Sequence, residues 1–282
     1  MKKLLLCAAV YLVTAFSFKS VSANEVNSSA VVSQMAIENY ISGIYNQIDF
    51  CHCSRLPFAV FEKAYRGYLN LRNAGKLNTD KDILTICDFT LSSTQNRIWV
   101  IDLRQKKVIF NTYVAHGQGS GDEYATSFSN DENSHKSSLG FYVTSNTYIG
   151  EHGTSLHLNG MDMGFNDAAY DRGIVVHGAD YVCSKFIDYN QRLGRSWGCP
   201  AVPSKISDAL IETIKDGTCL FIYYPQKSYM KDAYWVNKKI DHLPMDMTTS
   251  DFMPLASARK KVEKIEYVSP NGSVDSVKTI QP

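Results

Sequence analysis

The chain has no surplus of charge of either sign. Its 282 residues contain 29 lysines and arginines against 28 aspartates and glutamates. Proteins that bind nucleic acid usually carry a clear basic surplus. The composition therefore argues against a nucleic-acid partner, although it leaves room for a local basic patch.

Long apolar runs are equally scarce. The first residues read MKK, an apolar run follows over Leu4–Phe18, and Val21–Ala23 supplies the small residues that signal peptidase prefers. This run is shorter than the roughly 20 residues that a membrane-spanning helix requires. We predict a Sec-type signal peptide over residues 1–23, cleaved near Ala23, and a secreted or periplasmic protein without an integral membrane span. The leader has three lysines and no acid, so the remainder has 26 basic and 28 acidic residues, a net charge of −2.

Cysteines are few, and none stands in a zinc-type pattern. Six remain when the leader is removed, namely Cys51, Cys53, Cys87, Cys183, Cys199 and Cys219. An even number in an exported protein permits a full set of disulfides, but a chain of this size does not depend on them. The pairing stays open, because Cys87 and Cys219 lie in apolar segments where a thiol packs as a small hydrophobic group. Cys51 and Cys53 flank a histidine, yet no second ligand pair follows at zinc-like spacing, so we expect no metal.

Two amphipathic helices are predicted in an N-terminal helical segment, residues 24–80. Apolar residues recur at helical spacing over Ser33–Ile48, with Ser33 as the N-cap. A second helix is expected over Pro57–Asn73, because proline suits the first turn of a helix. Residues 24–32 are polar and are expected to be loose. The two helices should form a small cap on a larger body.

Residues 81–225 are predicted to form a mainly β domain, either a sandwich or a barrel. Short segments rich in β-branched and aromatic residues recur there without long helices between them. They are Ile83–Phe89, Arg97–Leu103, Lys107–Ala115, Leu139–Thr144, Ile174–His177 and Thr218–Tyr224. One inserted helix is expected over Ser204–Asp216. Residues 226–282 are a polar C-terminal extension, expected to run as an extended arm and then to be disordered.

A histidine and a cysteine have the surroundings of a catalytic pair. The apolar run before His177 delivers it at a strand end, Gly178 follows, and Gly198 precedes Cys199. Glycine permits tight turns and close approach of a substrate. A thiol attacks only as the thiolate. A histidine within hydrogen-bond reach would therefore remove its proton and later return it to a leaving amine.

Two backbone contacts complete this hypothesis. The N–H groups of Gly198 and Cys199 are candidates for binding an oxyanion. A carbonyl near Gly178 is the candidate that holds the histidine in one tautomer, because no carboxylate is adjacent in the sequence. The competing interpretations are a buried or disulfide-bonded Cys199 and an ordinary core histidine at His177.

Five motifs, FSN, SSLG, YIGEHG, RGIVVHGA and GRSWGCP, occur in an order that resembles the catalytic domain of the murein L,D-transpeptidases. The GRSWGCPAV signature resembles the Gram-negative branch of that family. The resemblance covers roughly residues 83–224 and implies a sandwich or barrel domain. We expect no cofactor, because acyl transfer by a thiol needs none. It implies that Cys199 is the nucleophile, His177 the general base and Gly178 the backbone orienter. Ser196 and Gly198 match the motif around the nucleophile.

The resemblance also implies a reaction. Cys199 would attack the third residue of a peptidoglycan stem tetrapeptide, release D-alanine and form a thioester, which an amine then resolves. The acceptor stays open between a second stem, a free D-amino acid, an envelope protein lysine and water. With water the protein would be an L,D-carboxypeptidase or peptidoglycan hydrolase. The remaining alternatives are a non-catalytic wall-binding module and a zinc peptidase built from His152, His157 and His177.

Several residues are candidates for binding the substrate. Trp197 stands where the better-known branch has histidine, and the arginine that usually follows the cysteine is absent. Arg195 is therefore the candidate that binds a substrate carboxylate. Trp197 is either a pocket wall or a core anchor. Arg172 is a second carboxylate ligand or a surface salt bridge. His152 and His157 either shape the donor pocket or are ordinary hydrogen-bonded histidines. Tyr148 of the YIGEHG motif is the last candidate for binding the substrate.

Overall fold

The computed structural model describes residues 23–244. The predicted signal peptide up to residue 22 and the C-terminal extension from residue 245 lie outside the described residues. The chain begins with helix α1 over Ala23–Gln47 and helix α2 over Phe58–Asn73. The predicted loose segment 24–32 and the predicted N-cap at Ser33 were wrong. Each residue that joins an existing helix costs little free energy, so the polar segment continues α1.

Stacked aromatic rings join the two helices. The Tyr65 ring lies 6.1 Å from the Tyr40 ring of α1 and 5.3 Å from Phe61, both in stacked orientation. Tyr45 of α1 contacts the Phe61 ring at 5.3 Å. These four rings are buried, and they lie on the apolar faces that the helical periodicity predicts.

Eight strands form one sheet in the described part of the chain, which confirms the mainly β prediction. The strands are β1 Ile83–Asp88, β2 Ile98–Asp102, β3 Lys107–Thr112, β4 Gly140–Gly150, β5 Gly153–Gly160, β6 Val175–Ala179, β7 Ala201–Pro203 and β8 Cys219–Tyr223. Their order is β3-β2-β1-β8-β4-β5-β6-β7. Two pairs, β1 with β8 and β6 with β7, are parallel, and the others are antiparallel.

The two edges of this sheet meet, so the sheet is a nearly closed barrel. Beyond β3 the chain reaches β7, where the Ala115 N–H donates to the Ala201 carbonyl at 2.8 Å. Two residues further on, Gly117 forms a parallel bridge with Ser196. The segment that precedes β7 contains Cys199. The contacts that close the barrel therefore also position Cys199.

Short helices cover the outside of the barrel. Helix α3 spans Ser184–Asn190, and helix α4 spans Ser204–Ile214. In α4 the side chains of Leu210, Ile211 and Ile214 are buried, as the predicted inserted helix requires. Among the described residues, no helix combines the length and the apolar character needed to cross a membrane.

The start of the C-terminal extension is helical, so the prediction of an extended arm was wrong there. Helix α5 spans Lys227–Asp232 and helix α6 spans Tyr234–Asn237. The buried Asn70 amide of α2 donates to the carbonyls of Trp235 and Lys238 at 2.8 and 2.9 Å. The Trp235 indole donates to the Met161 carbonyl at 2.7 Å. This anchoring depends on side chains far apart in the sequence, and composition alone did not reveal it.

Candidate active site

One open cavity of about 540 Å³ contains most of the predicted site. It lies at one end of strands β5 and β6, beside the segment that leads into β7. Cys199 and His177 both line it. The other lining residues are Tyr148, Glu151, His152, Ser155, Arg172, Gly173, Ile174, Val175, Tyr181, Arg195, Ser196 and Trp197.

The turn before Cys199 is held by hydrogen bonds to two serines. The Ser196 hydroxyl donates to the Cys199 carbonyl at 2.6 Å and accepts the Gly198 N–H at 3.1 Å. The Ser137 hydroxyl donates to the Gly198 carbonyl at 3.1 Å and accepts the Gly117 N–H at 3.0 Å. The residues of SSLG and GRSWGCP, far apart in the sequence, therefore fix one another.

Gly198 occupies a position that only glycine fits. Its φ of +125° is rarely adopted by residues with a side chain, and a Cβ there would lie 2.8 Å from the Lys136 carbonyl oxygen. Its N–H donates to the Ser196 hydroxyl, so the prediction that this N–H binds an oxyanion was wrong. The Cys199 N–H donates to no other residue in the described part of the chain, so it is the group that remains for this purpose.

The Cys199 thiol lies in a partly buried position. Its sulfur accepts the Val175 N–H at 3.4 Å and lies 3.8 Å from the Gly173 carbonyl, to which the S–H donates. Burial raises the pKa of the Cys199 thiol, while the Val175 N–H and the positive charge of Arg172 oppose this shift. The thiol is therefore protonated in the resting site and needs a base.

His177 lies in β6, opposite Ser155 of β5 and Ala201 of β7. Its Nδ1–H donates to the Gly178 carbonyl at 2.8 Å, so its Nε2 carries the lone pair. This is the orienting carbonyl that the sequence predicted. Burial lowers the pKa of His177; the bond to Gly178 opposes the shift and the charge of His152 adds to it. A neutral imidazole with a free Nε2 is the form that a general base requires.

No hydrogen bond joins the Cys199 sulfur to the His177 ring among the described residues. What brings them together is strand pairing, since His177 is opposite Ala201 and Cys199 lies two residues before Ala201. The His177 ring is stacked on His152, with ring centroids 4.6 Å apart and planes inclined by 21°. His152 comes from the turn between β4 and β5. The sequence offered His152 as a residue that shapes the donor pocket, as an ordinary hydrogen-bonded histidine or as a zinc ligand, and the structure places it in the lining of the cavity.

Both predicted arginines line the cavity, but each already has partners. Arg172 donates to the carbonyls of Ser129 and Lys136 and to the hydroxyls of Ser134 and Ser138, and so it fastens the segment 129–138. Arg195 donates to the Gly121 carbonyl at 2.9 Å and pairs with Asp122 at 2.8 Å. Because the Asp122 carboxylate is highly exposed, this second pairing is the easier one to exchange.

The predicted aromatic residues separate into two groups. Tyr148 lines the cavity, whereas His157 does not and instead lies between the rings of Tyr148 and Tyr170, at 4.7 and 5.0 Å. Trp197 is 72% exposed at the rim of the cavity, so the interpretation as a core anchor was wrong. Its ring is stacked on His135, a residue that sequence reasoning did not single out.

All six cysteines among the described residues are free thiols, Cys199 included. Within residues 23–244, no group of three histidine, cysteine, aspartate or glutamate side chains is arranged to hold a metal ion. The site as described therefore consists of a thiol, an imidazole, backbone N–H groups and two arginines. Such an arrangement can carry out acyl transfer through a covalent thioester.

Solved structures of L,D-transpeptidases resemble this chain at low identity. One from Mycobacterium smegmatis is 10% identical, covers 51% of this chain and 59% of its own, and has a TM-score of 0.32. One from Enterococcus faecium is 12% identical, with coverages of 51% and 50% and a TM-score of 0.32. L,D-transpeptidase 3 from Mycobacterium tuberculosis is 9% identical, with coverages of 51% and 62% and a TM-score of 0.33. The chain thus matches about half to three fifths of the length of these proteins.

Comparison of the sequence identifies the family more directly than comparison of the structures does. No curated protein matches the chain in sequence. A sequence model of the L,D-transpeptidase catalytic domain, however, matches residues 53–223, which is more than half of the chain and includes every residue of the cavity. The chain belongs to the L,D-transpeptidase catalytic domain family.

Proposed function

We propose that the protein is a peptidoglycan L,D-transpeptidase that uses Cys199 as nucleophile and His177 as general base. One observation supports this most strongly. In a domain of this family, a free thiol shares a cavity with a histidine whose Nδ1–H is bound to Gly178 and whose Nε2 is free. The peptidoglycan stem peptide is the substrate that fits the family.

The first half-reaction forms a thioester. His177 Nε2 takes the proton of Cys199, and the thiolate sulfur attacks the carbonyl carbon of the third stem residue. The Cys199 N–H donates to the oxyanion that develops. The amide C–N bond then breaks, and D-alanine leaves with the proton that the imidazolium returns to its amine.

The second half-reaction reverses this sequence with a new amine. The incoming amine gives a proton to His177 and attacks the thioester carbonyl. The C–S bond breaks, the Cys199 sulfur regains a proton from the imidazolium, and a new amide is released. The protein groups end in their starting protonation states, so no cofactor is consumed.

The resting protonation states suit this cycle. The raised pKa of Cys199 and the lowered pKa of His177 keep both groups neutral until substrate arrives. The charge of Arg172 then favours the thiolate that attack requires. Contacts between catalytic groups are often long without substrate and tighten when substrate binds. The absence of a hydrogen bond between the Cys199 sulfur and the His177 ring in the described residues is therefore compatible with this mechanism.

Arg195 is the group that we assign to the substrate carboxylate. Its guanidinium lines the cavity, and one of its N–H groups is bound to the exposed carboxylate of Asp122. A carboxylate of the third stem residue can take the place of Asp122 without leaving a buried charge unpaired. Arg172 instead keeps its structural hydrogen bonds and acts on the thiol through its charge.

Intact mass after incubation with a carbapenem tests the nucleophile. The wild-type protein should gain the mass of one carbapenem, because the thiolate opens the β-lactam ring to an acyl-enzyme. Cys199→Ala should gain none, and Cys183→Ala, which removes a free thiol outside the cavity, should react like wild type. An adduct on Cys199→Ala, or none on the wild type, would contradict the assignment.

The acceptor is tested with products. Purified protein with disaccharide tetrapeptides should yield crosslinked dimers joined through third residues, together with free D-alanine. Tripeptide without dimers would show that water is the acceptor and that the protein is a carboxypeptidase with the same cysteine. A Cys199→Ala protein that still acts on peptidoglycan would support a non-catalytic wall-binding module.

We also propose that this activity lies outside the cytoplasm, in the periplasm or beyond. The N-terminal leader motif and the location of peptidoglycan support this proposal. N-terminal sequencing of the exported protein should begin at Asn24. A cytoplasmic protein that retains Met1 would contradict the proposal.

A further inference from the structure

Trp197 is exposed although its neighbours in the chain are not. The other two tryptophans, Trp99 and Trp235, are 1% and 8% exposed, whereas Trp197 is 72% exposed. Ser196 and Gly198 on either side of it are buried. The backbone is therefore fixed at this point, and the indole alone projects at the rim of the cavity that contains Cys199.

One face of this indole is covered. The His135 ring lies parallel to it, with centroids 4.8 Å apart and planes inclined by only 6°. A stack of this kind restricts rotation of the indole and leaves its opposite face to solvent. The result is a flat, oriented aromatic surface beside the nucleophile.

The loop behind the indole is held in a strained conformation. Asn133 and His135 have φ values of +56° and +51°, a region that residues other than glycine seldom adopt. The His135 carbonyl accepts the Gly119 N–H at 2.8 Å, and Arg172 binds the residues on both sides, Ser134 and Lys136. Strain of this kind persists only where surrounding contacts enforce it, and it concentrates at functional sites. In this loop, the backbone conformation at His135 places its imidazole against one face of the Trp197 indole.

A pyranose ring matches the free face better than a stem peptide does. The faces of aromatic rings carry partial negative charge, which attracts the partly positive C–H groups on one side of a sugar ring. D-alanine and a diamino acid offer no comparable flat apolar surface. We propose that Trp197, backed by His135, binds a sugar ring of the glycan strand that carries the donor stem. This proposal rests on the proposed function.

The distances permit such binding. Trp197 and Cys199 are two residues apart, so their Cα atoms are at most about 7 Å from each other. A stem that runs from its sugar through three residues spans about 10 Å or more when it is extended. With the third residue at Cys199, the sugar at the head of the stem therefore reaches the rim where the indole lies.

Fluorescence tests sugar binding without turnover. In Cys199→Ala protein, a peptide-free disaccharide of N-acetylglucosamine and N-acetylmuramic acid should shift the emission to the blue and reduce acrylamide quenching. Trp197 should account for this change, because the other two tryptophans are buried. Trp197→Phe in the same background should abolish it. Tyr189→Ala, which removes a ring that is 79% exposed outside the cavity, should retain it. No change, or an equal change in Trp197→Phe, would overturn the proposal.

Kinetics test its role in the reaction. The wild type should have a higher kcat/KM for disaccharide tetrapeptide than for free tetrapeptide. Trp197→Ala should reduce the ratio of these two values about tenfold, the size expected for one lost aromatic stack. Tyr189→Ala should keep the ratio. An unchanged ratio in Trp197→Ala, whether both kcat/KM values stay the same or fall equally, would overturn the proposal, since the indole would then contact nothing or only the peptide.

The outcomes separate this proposal from the proposed function. A wild-type protein that forms the carbapenem adduct but shows no sugar-dependent change refutes only the sugar site. A protein that binds the disaccharide through Trp197 but forms no adduct and no D-alanine refutes only the transpeptidase. Melting temperatures of each variant show whether it is folded under the assay conditions.

Discussion

The two sides of the cavity are built differently. On the cysteine side, the turn at residues 196–199 is fixed by hydrogen bonds from Ser196 and Ser137 and by a glycine that has no room for a side chain. On the histidine side, the His177 ring has one hydrogen bond and one stacked neighbour from a hairpin turn. The backbone at the nucleophile is thus fixed by several side-chain hydrogen bonds, whereas the base is held by burial, one hydrogen bond and one stacked ring, and its Nε2 has no hydrogen bond among the described residues.

This difference indicates how the pair becomes active. Fixing the sulfur beside its own N–H prepares an attack geometry before substrate arrives. Leaving the imidazole Nε2 without a hydrogen bond lets substrate binding complete the contact between base and nucleophile. Changes on the cysteine side should therefore affect placement and stability together, and changes on the histidine side should affect chemistry and its pH dependence.

The largest effect is expected from His177→Asn. An amide cannot take a proton from the thiol, and removal of a general base typically costs about 10²- to 10⁴-fold in rate. Single-turnover acylation by a carbapenem, followed by mass, measures this loss. The melting temperature should change little relative to this loss. A rate within tenfold of wild type would show that another group serves as base.

Gly198→Ala should be next in effect on the rate. A Cβ in contact with the Lys136 carbonyl and a backbone at φ +125° should cost about 2 kcal/mol of unfolding free energy. Displacement of Cys199 by about 1 Å can cost about 10²-fold in acylation. Denaturant unfolding and the acylation assay measure both.

Gly164→Ala is the matched control for this substitution. Gly164 also has a positive φ, +77°, but no atom lies within 4 Å of an added Cβ. It should lose about 1 kcal/mol of stability from backbone strain alone and keep its acylation rate. Equal rate losses in both variants would mean that the turn before Cys199 is not fixed in the way described.

Ser196→Ala should have an intermediate effect. It removes the hydroxyl that joins the Gly198 N–H to the Cys199 carbonyl, and a buried unpaired N–H costs about 1–3 kcal/mol. Acylation should fall about tenfold as the turn loosens. Ser196→Thr keeps the hydroxyl and should recover most of the rate. Ser228→Ala, whose hydroxyl is bonded only at the surface, should match wild type in both measurements.

The smallest effect on the rate is expected from His152→Ala, but this variant reports on the histidine side. Because the pKa of His177 is lowered from its ordinary 6.5, the acid limb of kcat/KM should lie below pH 6.5 in the wild type. Loss of the stacked ring removes burial and a neighbouring charge, both of which lower this pKa. The acid limb should therefore move to higher pH.

His152→Phe separates the two causes. It keeps a stacked ring and its burial but removes the charge, so the acid limb should move less than in His152→Ala. Tyr148, Tyr181, Glu151, Cys199 and the two arginines face the same cavity and remain in both variants. Identical pH profiles in wild type and His152→Ala would show that His152 does not influence the base.

Sequence reasoning located the parts of the fold where side chains alone determine the structure. The strands β1 and β8 were predicted because each is a continuous apolar segment, and all their residues are buried. β5 was missed, since GTSLHLNG contains glycine and polar residues at both ends and is held mainly by pairing with β4. β7 has three residues and exists because β6 and Ala115 flank it.

The residues of the site also divide into those that local sequence predicts and those that depend on contacts between distant segments. The cysteine, the histidine and the Gly178 carbonyl were predicted because they are adjacent to recognisable motifs. Arg172 was predicted to bind substrate, but its hydrogen bonds go to residues 129–138, which no local pattern connects to it. The stack of His135 on Trp197 likewise joins two loops that meet only in the folded chain. Long-range contacts of this kind require coordinates.

The contact between Ala115 and Ala201, which closes the barrel, also determines when the site forms during folding. Segments that are distant in the sequence meet late in folding, because they must pay the entropy of closing a long loop. The thiol lies beside this contact, so its N–H neighbours and its imidazole come together only in the closed barrel. A chain that has not completed its barrel therefore carries an ordinary cysteine, and reactivity arises together with the finished fold.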